Sequence, residues 1–129
     1  MRERLDEKTN SLVKLIISDP RWNLKDELLI QVLGFTVYGY AFGLGRLVLF
    51  MDVGEINEVV TNQLSKLGVG EKYAQGLVDA AFNSFTNESD ISVHSQLVNV
   101  GHSHFSSEDL SVCVESIFNN TEALRQAQP

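Results

Sequence analysis

Leu28–Val53 reads LLIQVLGFTVYGYAFGLGRLVLFMDV and decides the fold, because no other part of the chain carries enough consecutive apolar residues to be buried on every side. Between Leu28 and Met51 the only charge is Arg46, and the only other strongly polar residues are Gln31 and Thr36. Such a composition belongs to a membrane span or to the central element of a core. A span needs about 20 apolar residues, which this stretch has, and Gly39 and Gly43 stand at the GxxxG spacing that pairs helices in lipid. The flanks oppose that reading. Lys25, Asp26 and Glu27 precede the stretch and Asp52, Glu55 and Glu58 follow it, so neither end has the Lys/Arg excess that orients a span. Four glycines and Arg46 lower its insertion tendency further. The expectation is a core element with no membrane.

Helix and hairpin compete within this element. Gly34 could stop a helix, after which FTVYGYAF, the turn Gly43-Leu44-Gly45 and RLVLFMDV would form a β-hairpin over 35–53. Both strands would then be apolar on both faces, and a two-stranded ribbon buried on both sides needs covering layers that the chain scarcely has. Helix is therefore expected, with the glycines and Ala41 letting neighbouring helices approach closely. Arg46 then needs an explanation. Pairing with an acid such as Asp52, or reaching to the surface, is the ordinary one, and holding an anion is the functional one.

Outward from the core element, Arg4–Ser18 reads as an amphipathic helix with Leu5, Leu12, Leu15 and Ile16 inward, ended by Asp19-Pro20. Asn23 reads as the N-cap of the next helix, with Asp26 and Glu27 in its first turn. Glu55–Leu67 places Ile56, Val59, Val60, Leu64 and Leu67 on one face, with Gly68 as stop. Glu71–Phe85 repeats the pattern with Tyr73, Ala74, Leu77, Val78, Ala81, Phe82 and Phe85. After the polar loop Thr86–Asp90, Ile91–Val100 is a shorter helix with Val93, Leu97 and Val100 inward, ended by Gly101. Ser106 and Asp109 resemble a capping box for a last helix through Phe118 or beyond, burying Leu110, Cys113 or Val114, and Ile117. The tail after Asn120 is expected to fray. The sum is a mainly α single-domain bundle, 1–129, of about five to six helices around a glycine-rich apolar central helix, with α+β as the alternative.

One domain of 129 residues can bury a core without staples. A single cysteine, Cys113, excludes an intramolecular disulfide and suits the cytoplasm, and MRERLDEKTN carries no apolar leader segment behind its charges. The net charge of −7 is segregated: residues 1–72 hold nine Lys/Arg and ten Asp/Glu, whereas residues 73–124 hold seven Asp/Glu and no Lys or Arg. The acidic half cannot form a phosphate-binding surface, which argues against direct nucleic-acid binding and for a basic protein partner. Solubility alone is the plainer explanation of the same charge.

Motifs for chemistry are sparse. His94, His102 and His104 lie close in sequence to Glu108, Asp109 and Cys113, and His102-x-His104 with Asp109 or His94 is the one metal-like cluster. Its spacing matches no specific zinc pattern, so loop histidines without a metal are expected. Cys113 falls on the inner face of the last helix as a small core residue. There is no G-x-S-x-G, no P-loop and no G-x-G-x-x-G, and no carboxylate sits in an apolar run that would raise its pKa, so neither catalysis nor a cofactor is expected.

The 51-residue stretch beginning YAQGLVDAAFNSFTNESD and continuing to NNTEA carries acids and no Lys or Arg. A small, acidic, cysteine-poor, helical chain of this kind resembles the immunity proteins of bacterial toxin systems. That resemblance rests on size and charge over the whole chain and on no diagnostic motif. It implies a protein that binds and occludes a cognate toxin, meeting its basic surface with acids. The residues expected to do so are Glu88, Asp90, Glu108, Asp109 and Glu115, with Phe105 as an exposed aromatic anchor. Two other classes fit the composition: a ligand-binding or regulatory domain with a pocket beside Tyr38, Tyr40 and Arg46, and a helical homodimer whose glycine-rich helix packs across a two-fold axis.

Overall fold

The apolar stretch is a helix. In the computed structural model, which describes residues 1–127, Glu27–Gly43 forms helix α2 and continues through a wider π-helical turn, Leu44–Val48. Asp26 starts it: its side chain accepts a hydrogen bond from the Leu29 amide at 3.2 Å, satisfying one of the unpaired donors of the first turn. Every residue from Val32 to Ala41 is buried. The one hydroxyl in that run besides the tyrosines, Thr36, donates to the Val32 carbonyl at 2.7 Å. Glu27–Val48 is long and apolar enough to cross a bilayer, yet 83% of its most apolar window is covered by the rest of the fold.

Five further helices make that cover: α1 (Arg2–Ile17), α3 (Val53–Leu64), α4 (Glu71–Thr86), α5 (Val93–His102) and α6 (Ser111–Ala127), and the described residues contain no strand. The hairpin alternative at 35–53 is thereby excluded. The closest partner of α2 is α5, which runs parallel to it: the Phe35 ring stacks on His94 with centroids 4.4 Å apart, Gly39 meets Val98, and Gly43 meets Phe105. Glycine is required at this crossing. A methyl group on Gly39 would lie 1.9 Å from the Val98 carbonyl oxygen, and one on Gly101 would lie 1.7 Å from the Thr36 carbonyl oxygen. The two backbones therefore touch directly, so that no side chain separates them.

α6 runs back along α2, with Tyr40 beside Cys113 and Arg125 Nη2 donating to Asp26 Oδ2 at 2.6 Å. α1 lies on α3, where buried Gln63 donates to Asp6 Oδ1 at 2.8 Å and Arg2 pairs with Glu58 at 2.6 Å. Leu5, Leu12 and Ile16 of α1, Ile56 and Leu64 of α3, and Ile117 of α6 are all fully or almost fully buried with α2 in one core. Each such side chain contributes about 1.5–3 kcal/mol on burial.

Several local expectations are corrected. The N-cap of α2 is Asp26, not Asn23, whose side chain instead accepts from the Lys25 amide in a preceding turn. Gly34 does not stop α2, because its missing side chain makes room for Leu77. Gly101 does not end α5, which reaches His102, because the same lack of a side chain serves the crossing with α2. α6 begins at Ser111, five residues beyond Ser106, so there is no Ser106–Asp109 capping box; Asp109 accepts from the Ser111 amide at 2.9 Å instead. Leu15 and Val93, expected inward, are exposed. The segment after Asn120 is helical to Ala127, held by buried Thr121 and by Arg125, while Gln128 and Pro129 lie outside the described residues. Gly68 does act as a stop, at φ +101°.

Candidate functional site

The five acids expected to face a partner fall into two places. Glu88 and Asp90 lie in the turn ahead of α5, where Asp90 Oδ1 accepts from the Ser92 amide at 2.8 Å and the Ser92 hydroxyl caps α5 through the Ser95 amide. These hydrogen bonds from Ser92 hold the Asp90 carboxyl below the usual range. Glu108, Asp109 and Glu115 lie beyond the other end of α5, a ten-residue helix about 15 Å long. There they meet the C-terminal end of α1.

The meeting place is a groove with a cavity volume of about 450 Å³. Leu15, Leu110 and Val114 form its apolar lining, and Asp19, Glu108, Asp109 and Glu115 stand around it. α1 ends just before Asp19, whose Oδ1 accepts from the Arg21 amide at 2.9 Å and so folds the chain back toward α6. Leu15 is exposed because the buried stripe of α1 runs through Leu5, Thr9, Leu12, Val13 and Ile16. At about 100° per residue, the side chain next to Ile16 falls at the edge of that stripe.

One guanidinium sits among these carboxylates. Arg21 donates from Nε and Nη2 to Asp19 at 2.9 Å each, and from Nη1 and Nη2 to Glu115 at 2.9 and 2.8 Å. Its centre lies 4.2 Å from the centroid of the buried Phe118 ring. The Arg21 hydrogen bonds hold the Asp19 carboxyl down at about 2 and lower that of Glu115, while the Ser111 amide lowers Asp109. Four carboxylates thus surround an apolar floor with a single cation among them. Chemically, an apolar side chain flanked by Lys or Arg would complement such a groove.

Phe105 is not an exposed anchor. It is partly buried over α2, so close that a methyl on Gly43 would lie 2.5 Å from its ring, and its ring lies 5.3 Å from that of His102. His102 also faces Phe85 at 5.2 Å, and burial there lowers its pKa. His94 stacks on Phe35, and no group of three or more His, Cys, Asp or Glu among the described residues is placed to hold a metal ion. Cys113 is fully buried, and that burial pushes its thiol up to about 11.

Of the three residues expected to line a pocket, Tyr38, Tyr40 and Arg46, two lie in the core. Tyr38 is fully buried, its hydroxyl donating to Asn57 Oδ1 at 2.6 Å, and Tyr40 is buried too, whereas Arg46 is exposed. Arg46 Nη1 donates to the Met51 carbonyl at 2.9 Å rather than pairing with Asp52. The glycines of the apolar helix, Gly34, Gly39, Gly43 and Gly45, meet Leu77, Val98, Phe105 and Ile56 of the same chain. Sequence reasoning missed Leu15, Asp19, Leu110 and Val114 as parts of the site. The off-stripe position of Leu15 was the signal that could have found it.

No protein-family model, no curated protein and no solved structure matches the chain.

Proposed function

We propose that the chain is a small cytoplasmic inhibitor that binds a basic protein partner, a bacterial toxin, in the manner of an immunity protein, and that the α1–α6 groove is its docking surface. The observation that carries this reading is the groove itself: three of the expected acids, joined by Asp19, stand around an apolar floor of Leu15, Leu110 and Val114. Exposed carboxylates steer a basic partner into encounter, and the apolar floor lengthens its residence once desolvated. The acid-only run of residues 73–124 extends the same field beyond the groove. Inhibition then comes from occlusion, with no bond made or broken.

The test is co-expression with a toxin-like reading frame beside the gene. Protection of the cells and a stoichiometric complex are expected for the wild type. Leu15→Glu, and Glu108→Lys with Glu115→Lys, should lose both, because they alter the floor and the rim without entering the core. Absence of protection, or protection that these substitutions leave untouched while circular dichroism shows the variants folded, overturns the reading.

A further inference from the structure

The end of α2 carries a second apolar feature, and it projects. The π-helical turn Leu44–Val48 is closed by the Leu49 amide donating to the Leu44 carbonyl at 3.1 Å and by the Met51 amide donating to the Gly45 carbonyl at 2.8 Å. Arg46 Nη1 adds its bond to the Met51 carbonyl. Between these bonds Phe50 is held at φ +55°, a left-handed conformation that helix ends ordinarily give to glycine. Phe50 is 82% exposed, and Leu47 and Val48 beside it are exposed as well. A bulky apolar residue here serves neither the backbone, which favours glycine, nor the core, which it does not enter. It is a fixed hydrophobic knob with one cation, Arg46, and no carboxylate between Leu44 and Met51.

We propose that this knob seats in the α1–α6 groove of a second copy of the chain, so that the protein associates head to tail. Charge argues for it: Arg46 stands beside the knob while the nearest carboxylate in sequence, Asp52, is engaged in capping α3 through the Gly54 amide, and the groove sets four carboxylates against the single guanidinium of Arg21. Shape argues for it too. The groove's 450 Å³ equals about fifteen waters at ~30 Å³ each, room for an aromatic and an aliphatic side chain. Area decides between this mode and a symmetric knob-to-knob dimer. An aromatic side chain offers roughly 150–250 Å², and with Leu47 and Val48 the knob falls well short of the ~800 Å² per partner of a standard interface. A small convex knob gains most from a concave socket, where the walls are buried along with it. Phe50 is exposed within its own chain, so knob and socket meet only between copies. The contact is heterologous, leaving one free knob and one free socket on every open assembly.

The inference rests on the groove as a socket and not on the toxin as its occupant. Sedimentation equilibrium of the full chain tests it, with weight-average mass followed up to about 1 mM, as suits an interface below standard size. The wild type should gain mass with concentration. Phe50→Asp and Leu15→Lys, both at exposed positions, should each stay monomeric, and circular dichroism should show both folded. Mixed in equal amounts, the two variants should form a dimer that grows no further, because one supplies an intact socket and the other an intact knob. A wild type that stays monomeric, a mixture that stays monomeric, or a Leu15→Lys variant that associates like wild type overturns the proposal. So does an association of wild type with neutral and anionic lipid vesicles that Phe50→Asp abolishes while self-association persists. Phe50→Asp leaves the groove intact, so its binding to a basic partner reports on the proposed function separately.

Discussion

Replacing Gly39 by alanine should destabilise the fold through a clash of backbone with backbone, and the structure gives the size of the effect. The new methyl would lie 1.9 Å from the Val98 carbonyl oxygen and 2.8 Å from the His102 nitrogen. Ordinary contact begins near 3.4 Å, so α2 and α5 must separate by about 1.5 Å along their whole crossing. Overpacking a core costs typically 1–3 kcal/mol when side chains can yield. Here the obstacle is backbone, so the cost lies at or above the top of that range, and the alanine's helix propensity returns about 1 kcal/mol. A net loss of about 2–3 kcal/mol is expected, a large share of the 5–15 kcal/mol of a typical domain. Gly76→Ala is the internal control: nothing lies within 4 Å of the added methyl in α4, so that variant should gain up to about 1 kcal/mol. Urea unfolding followed by circular dichroism measures both. If Gly39→Ala is as stable as wild type, or shifts in the same direction as Gly76→Ala, the direct backbone crossing is wrong.

Phe50→Gly should stabilise the monomer by about 1 kcal/mol in thermal unfolding, since it relieves the left-handed φ of +55° and removes an exposed side chain; a destabilised variant would show that the ring packs after all. His102 carries a pH dependence. Burial against Phe85 and Phe105 lowers its folded pKa, so its contribution is complete above the unfolded value near 6.5 and is lost as pH falls through the folded value. Melting temperature should therefore drop between about pH 7 and pH 5 more in wild type than in His102→Phe; equal slopes would refute this. Removing metal with EDTA should leave the melting temperature unchanged, because His94, His102 and His104 have no convergent partners; a fall of several degrees reversed by zinc would contradict that.

The fold was legible because its main signals are periodic or compositional. Ile56, Val59, Val60 and Leu64 mark one face of α3, as Ala74, Leu77, Val78 and Ala81 mark α4, and both faces are buried where expected. The even burial of Val32–Ala41 follows from a run with no polar face. The helix boundaries were less legible. Asn23, Asp26, Ser106 and Asp109 all have side chains that can cap, and only the path of the chain decides which amide each one meets. Gly34 and Gly101 look like stops in one dimension, and only in three does each make room for a neighbouring element. The groove was half legible: charge segregation pointed to Glu108, Asp109 and Glu115, but Asp19 and Leu15 come from a distant part of the chain. The Arg21 clamp on Glu115 spans 94 residues, a pairing no local pattern announces.

The most direct test of the proposed docking surface is the association rate of the basic partner that co-expression identifies with two charge-reversed forms at low salt. One carries Glu108→Lys with Glu115→Lys beside the groove, and the other carries Glu88→Lys with Asp90→Lys in the turn at the far end of α5. Both change net charge equally, so overall acidity affects them alike. If the groove receives the partner, the first pair should lower the rate at least ~10-fold and the second by less than ~3-fold, with the difference shrinking as the Debye length falls to about 8 Å. Equal losses for the two pairs, or a larger loss for Glu88 and Asp90, would contradict it.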